Sequence, residues 1–110
     1  MFNLSSTSTQ NLDPDHVRDG LRQGNFLLVD VREPEEYQAE RIAGAINAPL
    51  SSFDPKSLPV DGSKTVVLHC AGGVRSGRAL DACRKAGVAV SHHLAGGLSA
   101  WKASGLPTVR

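Results

Sequence analysis

Two cysteines occur in the 110 residues, Cys70 and Cys83, and their settings differ. Cys70 lies in the segment His69-Cys70-Ala71-Gly72-Gly73-Val74-Arg75-Ser76, which is small and glycine-rich and carries a cation near its end. Small residues let a backbone fold tightly and turn successive N–H groups inward, and such groups form a concave anion site. The start of a following helix adds unpaired amides and partial positive charge, and Arg75 adds a full charge. A thiol at the mouth of this nest is expected to ionise below the ~8.5 of free cysteine, towards about 3.5–7.5. The thiolate is the nucleophilic form. Residues 70–76 therefore read as a cradle for charged sulfur. Cys70 is the candidate nucleophile, and Ala71, Gly72, Gly73, Val74, Arg75 and Ser76 are the candidate binding residues.

Such a loop works only if rigid elements hold it. Thr65 to His69, TVVLH, is the clearest predicted strand, and Ser76 to Ala86 is the clearest predicted helix. Ala79, Leu80, Cys83 and Ala86 form the helix's apolar face, opposite Arg78, Asp81 and Lys85. Upstream, Asp13-Pro14 reads as an N-cap and first helical residue, for a helix reaching Gln23 with Gly24 beyond it. Phe26 to Val31 is continuously apolar apart from Asp30, as in a strand covered on both faces. Glu33-Pro34-Glu35-Glu36 starts a helix expected to end near Ala39, with acids where the helix dipole favours them. Ala45 to Asn47 reads as a short strand and 51–63 as loop. Val88 to His92 reads as a last strand, Gly96-Gly97 as a turn, and Leu98 to Ala103 as a last helix. Strands alternating with helices predict an α/β fold, a parallel sheet flanked by helices on both faces. Chemistry in such sheets sits at the carboxyl ends of strands, where Cys70 lies.

Composition narrows the functions. Twelve Lys and Arg face eleven Asp and Glu, a formal net charge of +1, with no run of one sign. That argues against nucleic acid, which calls for a basic stripe, and against a polybasic membrane patch. No apolar run approaches the ~20 residues of a membrane span. Met1 to Gln10 is polar and lacks the pattern of a signal peptide, so the cytoplasm is the expected location. Residues 1–8 are expected to form a flexible tail, and residues 9–110 a single domain. The ending at Arg110 suits either a complete protein or one domain of a larger one.

The sequence resembles the rhodanese family over nearly its whole length. Cys70, Gly73, Arg75 and Ser76 fit that family's C-x-x-G-x-R-S loop. Asp30-Val31-Arg32 with Glu36-Tyr37 resembles its D-V-R-x-x-x-E-Y segment, and Ile42 to Asn47 resembles its H-I-x-G-A-x-N segment. Gly96-Gly97, Trp101, Gly105 and Pro107 are similar to its closing G-G-x-x-x-W-x-x-x-G-x-P. The resemblance implies a rhodanese-like three-layer sandwich and a thiosulfate sulfurtransferase. The Cys70 thiolate would take the outer sulfur of a donor such as thiosulfate, and the persulfide would pass it to cyanide, a thiol or a protein acceptor. The loop amides would hold the persulfide's charge. No metal or organic cofactor is implied. Arg75 is expected either to help bind an anionic donor or to clamp the loop through a carboxylate, the clamp being slightly favoured, with Glu33 or Asp30 as partner; Asp30, Arg32 and Glu33 are thus the loop-supporting candidates. Arg41 stands where the family has His, and would favour anionic donors if it reached the site.

The remaining candidates read as structural. Cys83 is expected in the core, and about 10 Å of helical rise separates it from the loop end, too far for a disulfide. His92 and His93 should point to opposite faces of a strand and cannot easily share a metal; both are taken as structural or solvated. His69 is expected to be a buried strand-end residue, Asp30 a hydrogen-bonded structural group, and Trp101 a core residue. Two alternative functions stay open. A cysteine phosphatase or arsenate reductase shares the Cys-to-Arg loop, but those phosphatases place one residue more between the two. A sulfur relay or binding module would form a persulfide without turnover on small acceptors.

Overall fold

A computed structural model describes residues 9–110; the tail expected over 1–8 lies outside the described residues. The elements are β1 (Gln10–Leu12), α1 (Pro14–Arg22), β2 (Phe26–Asp30), α2 (Pro34–Ala39), β3 (Ile46–Asn47), β4 (Thr65–His69), α3 (Val74–Lys85), β5 (His92–Leu94) and α4 (Gly97–Ala103). The strands form one sheet in the order β1-β5-β4-β2-β3, and every pairing is parallel. Among the described residues no helix is long and apolar enough to cross a membrane.

Strand alternation sorts the side chains into two cores. Val29, Val66 and Leu68 face α3 and meet Ala79, Leu80 and Cys83. Leu28, Val67 and Leu94 face the other way and meet Val17 of α1 and Leu98 and Trp101 of α4. The fold is thus the expected α/β three-layer sandwich. Leu28, Val29, Val67 and Leu68 are all fully buried, each contributing about 1.5–3 kcal/mol relative to exposure. Cys70 continues the α3-facing row of β4, and Asp30 and His69 continue the rows on the opposite face.

Three expectations shift. The helix expected from Ser76 starts at Val74, because Gly73 takes a left-handed conformation (φ +105°) and acts as its N-cap; the last part of the candidate loop is thus the first helical turn. The strand expected over Val88 to His92 is instead His92–Leu94. The Val88 and Gly87 amides bond to the Cys83 and Arg84 carbonyls, the double closure that ends a helix at a left-handed glycine. Val88 is therefore spent on α3. Finally, β1 was not expected; its Gln10-Asn11-Leu12 run shows no apolar alternation and pairs at the sheet edge with β5. The stretch read as loop holds short 3-10 turns at Leu50–Ser52 and Pro55–Ser57.

Candidate active site

Cys70 follows the end of β4, and its sulfur lies over the start of α3. Its Sγ accepts the backbone N–H groups of Gly73 (3.1 Å) and Ser76 (3.3 Å) and lies 3.6 Å from Ser76 Oγ. Ser76 is the third residue of α3, so the sulfur occupies the place of a helix-capping acceptor. Burial raises the thiol's pKa, but the amide and hydroxyl of Ser76 and the amides of Gly73 and Gly72 outweigh it, and the pKa falls below the ordinary value. Cys70 is only 1% exposed, while Gly72 and Val74 at the rim are open.

The carbonyls of this loop are held from outside by α4. Leu98 N–H donates to the Cys70 carbonyl (2.8 Å) and Ser99 N–H to that of Ala71 (3.0 Å). With the carbonyls turned out, the amides are free to turn in. Gly97 permits this approach: a Cβ there would lie 2.3 Å from the Cys70 carbonyl oxygen. The Gly96-Gly97 pair, expected only to turn the chain, is thus part of the site's scaffold. On the far face His69 Nδ1 lies 3.2 Å from the same carbonyl oxygen.

Arg75 does bind a carboxylate, but neither expected partner. Its guanidinium forms a fork with Glu36, Nη1 to Oε1 at 2.7 Å and Nη2 to Oε2 at 3.0 Å. Glu36 also accepts the Glu33 N–H at 3.0 Å, so one side chain caps α2 and anchors the start of α3. The Arg75 bond, above all, carries Glu36 from 4.5 down to about 2, against burial. Glu33 turns instead to Ser51, whose hydroxyl it accepts at 2.6 Å. Asp30 is committed to Arg32, with Oδ2 2.8 Å from Nη2 and Oδ1 2.9 Å from the Arg32 amide. Both are buried, and Arg32 also donates to the Glu40 carbonyl at 2.6 Å. Asp30 Oδ2 lies 3.5 Å from His69 Nε2. Asp30 and Arg32 therefore pair with each other on the far face of the sheet and do not grip Arg75. The signal for Glu36 was in the sequence, as the fixed acid of the D-V-R-x-x-x-E-Y segment.

The other candidates divide clearly. Cys83 is fully buried in the core with its thiol pushed up to about 11 by burial, and both cysteines are free. Trp101 is buried and donates Nε1–H to the Pro107 carbonyl at 2.8 Å. Arg41 stacks on Tyr37, 5.1 Å from the ring centroid, and its backbone pairs with Val109; its contacts are there and not on the Cys70 loop. His92 and His93 face opposite ways, as expected. His93 Nδ1, however, lies 2.9 Å from Ser76 Oγ, which is itself 3.6 Å from the Cys70 sulfur. The missed signal is positional, a histidine on the α3-facing row of the strand beside β4.

Comparison with known proteins places the family and the fold. The chain is 47% identical over 107 residues to the uncharacterized protein slr1261 of Synechocystis sp., covering 96% of this chain and 60% of that protein. It is 31% identical over 99 residues to the thiosulfate:glutathione sulfurtransferase of Saccharomyces cerevisiae, covering 78% of this chain and 71% of that one. A rhodanese-related protein from Thermoplasma volcanium matches its fold with a TM-score of 0.78 at 28% identity, over 91% of this chain and 97% of the other. The family model for the Rhodanese-like domain matches residues 13–104, and the chain belongs to that family.

Proposed function

We propose that this protein is a sulfurtransferase that carries sulfane sulfur as a persulfide on Cys70. The observation that carries the reading is a thiol of lowered pKa accepting the Gly73 and Ser76 amides at a strand-to-helix junction. The thiolate attacks the outer sulfur of thiosulfate; the new S–S bond forms as the donor's S–S bond breaks, and sulfite leaves with the electron pair. The persulfide's terminal sulfur then passes to a nucleophilic acceptor, and the electron pair of the broken bond returns to Cys70 as thiolate. The Gly73 and Ser76 amides on the sulfur are fixed dipoles, and in this reading the amides from Ala71 through Ser76 hold the persulfide's charge. Arg75, held by Glu36, fixes the loop and adds positive potential. The open rim at Gly72 and Val74 gives the acceptor its approach.

Thiosulfate as donor and a low-molecular-weight thiol as acceptor follow the yeast relative. A cytoplasmic setting, where such thiols stay reduced, suits two free cysteines. The test is thiocyanate release from thiosulfate and cyanide, with glutathione as a second acceptor. Turnover abolished by Cys70→Ser is expected. Cys70-dependent hydrolysis of an aryl phosphate, without sulfur transfer, would replace this reading with a phosphatase.

A further inference from the structure

One polar chain, buried at Cys70 and Ser76 and reaching the surface at Asn11, is not used by this mechanism. It runs from Cys70 Sγ to Ser76 Oγ (3.6 Å), from Ser76 Oγ to His93 Nδ1 (2.9 Å), and from His93 Nε2 to Asn11 Oδ1 (2.8 Å). Its members come from the reactive loop, α3, β5 and β1. Alternation along β5 turns His93 towards α3 while Leu94 enters the opposite core. Asn11 is the register partner of His93 on β1. Ser76 is fully buried and His93 is 9% exposed.

The chemistry of the last link sets the direction of the others. A carboxamide oxygen only accepts, so His93 carries its proton on Nε2 and leaves Nδ1 bare. The bare nitrogen takes the Ser76 hydroxyl hydrogen, in preference to the Gly73 carbonyl at the longer distance of 3.2 Å. The lone pairs of Ser76 then face the sulfur, and the Cys70 thiol donates to them. The hydrogens are aligned as S–H to O–H to N.

We propose that His93, held by Asn11, receives the Cys70 proton through Ser76 and so sets the ionisation of the sulfur carrier. The S–H bond breaks as an O–H bond forms on Ser76, and the old Ser76 O–H bond breaks as an N–H bond forms on His93 Nδ1. The products are a thiolate, a neutral serine now donating to it, and an imidazolium; no electrons are transferred. His93 does not touch the sulfur and is a positioning residue. The groups facing it are Asn11 from β1, Leu68 in register on β4, and Ser76 from α3 with Cys70 behind it. None carries a fixed charge, and burial alone holds the imidazole below its ordinary value. It is thus neutral and able to accept near pH 7, and the thiolate opposite it stabilises the imidazolium once formed.

The inference rests on Cys70 as sulfur carrier, and its test reads the proton separately from the sulfur. Thiolate ultraviolet absorbance and the rate of iodoacetamide alkylation of Cys70 are followed against pH in the wild type, His93→Gln and Asn11→Asp, with thiosulfate loading measured beside them. Glutamine keeps hydrogen bonding but cannot take the proton. It should raise the apparent Cys70 pKa and slow alkylation about tenfold near neutrality, equivalent to one pKa unit, with the wild-type rate restored at alkaline pH. Asn11→Asp stabilises the imidazolium and should shift the titration the other way, which keeps the test decisive if His93→Gln folds poorly. Unchanged titrations in the folded variants would overturn the relay while leaving a sulfur-loading wild type as a carrier. Shifted titrations in a protein that takes no sulfur would support the relay and reject the carrier.

Discussion

The Arg75 guanidinium and the Glu36 carboxylate lie fork to fork at 2.7 and 3.0 Å, joining the first turn of α3 to the first turn of α2. The pair therefore fixes the helix start whose amide binds the Cys70 sulfur. Glutamine at position 36 can still accept the Glu33 amide but removes the charge. Glu36→Gln is expected to cost about 0.5–1 kcal/mol at neutral pH, the scale of a partly exposed ion pair. A carboxylate of depressed pKa stabilises the fold above its unfolded value and loses that contribution as pH falls. The wild type should thus lose stability between pH 4.5 and about 2 by an increment that the variant lacks. Urea midpoints across that window check it; equal slopes in both proteins would contradict it.

Gly97 and Gly105 have similar left-handed backbones, with φ of +60° and +78°, but different surroundings. A Cβ at Gly105 meets nothing, while one at Gly97 meets the Cys70 carbonyl oxygen and the Ala71 backbone. Gly105→Ala should cost roughly 1–2 kcal/mol, the left-handed penalty alone. Gly97→Ala should cost at least ~1 kcal/mol more, by displacing α4 from the loop, and should lower sulfur transfer while Gly105→Ala does not. Denaturation and turnover of the two variants side by side make the comparison.

Much of this arrangement was legible in the sequence. The TVVLH strand, the Asp13-Pro14 helix start and the glycine-rich cradle each follow from local patterns that tertiary packing reinforces. What escaped depends on contacts distant in the chain. Arg75 chose Glu36 over Glu33 because the capping geometry of α2 turns Glu36 towards α3 and leaves Glu33 facing Ser51. The relation of His93 to Ser76 depends on the parity of β5, and the strand's start was misplaced because the Val88 amide closes α3. β1 is short, polar and stabilised by its neighbour, so no local pattern announces it.

Asp30 and Arg32 form a buried pair, 0% and 4% exposed. Removing one charge leaves the other unpaired in the interior, which costs about 3–5 kcal/mol. Asp30→Asn should therefore unfold at markedly lower denaturant, whereas exposed Asp19→Asn changes stability by no more than about 0.5 kcal/mol. Similar losses from both would mean that the Asp30–Arg32 pair carries no special weight.

The two thiols should react very differently. Cys83, with its pKa near 11, stays protonated at neutral pH and is enclosed in the core. Iodoacetamide at neutral pH should give one adduct, mapped to Cys70, and a second only in denaturant. Labelling of native Cys83 at a comparable rate would contradict the assigned environments.

Sulfane sulfur carried on Cys70 would add to the mass of the protein. Intact mass of the reduced protein, taken before and after thiosulfate and again after cyanide, tests it most directly. A gain of one sulfur atom is expected, absent in Cys70→Ser and reversed by cyanide. No gain from thiosulfate or from any persulfide donor, in a protein whose Cys70 still alkylates, would contradict it.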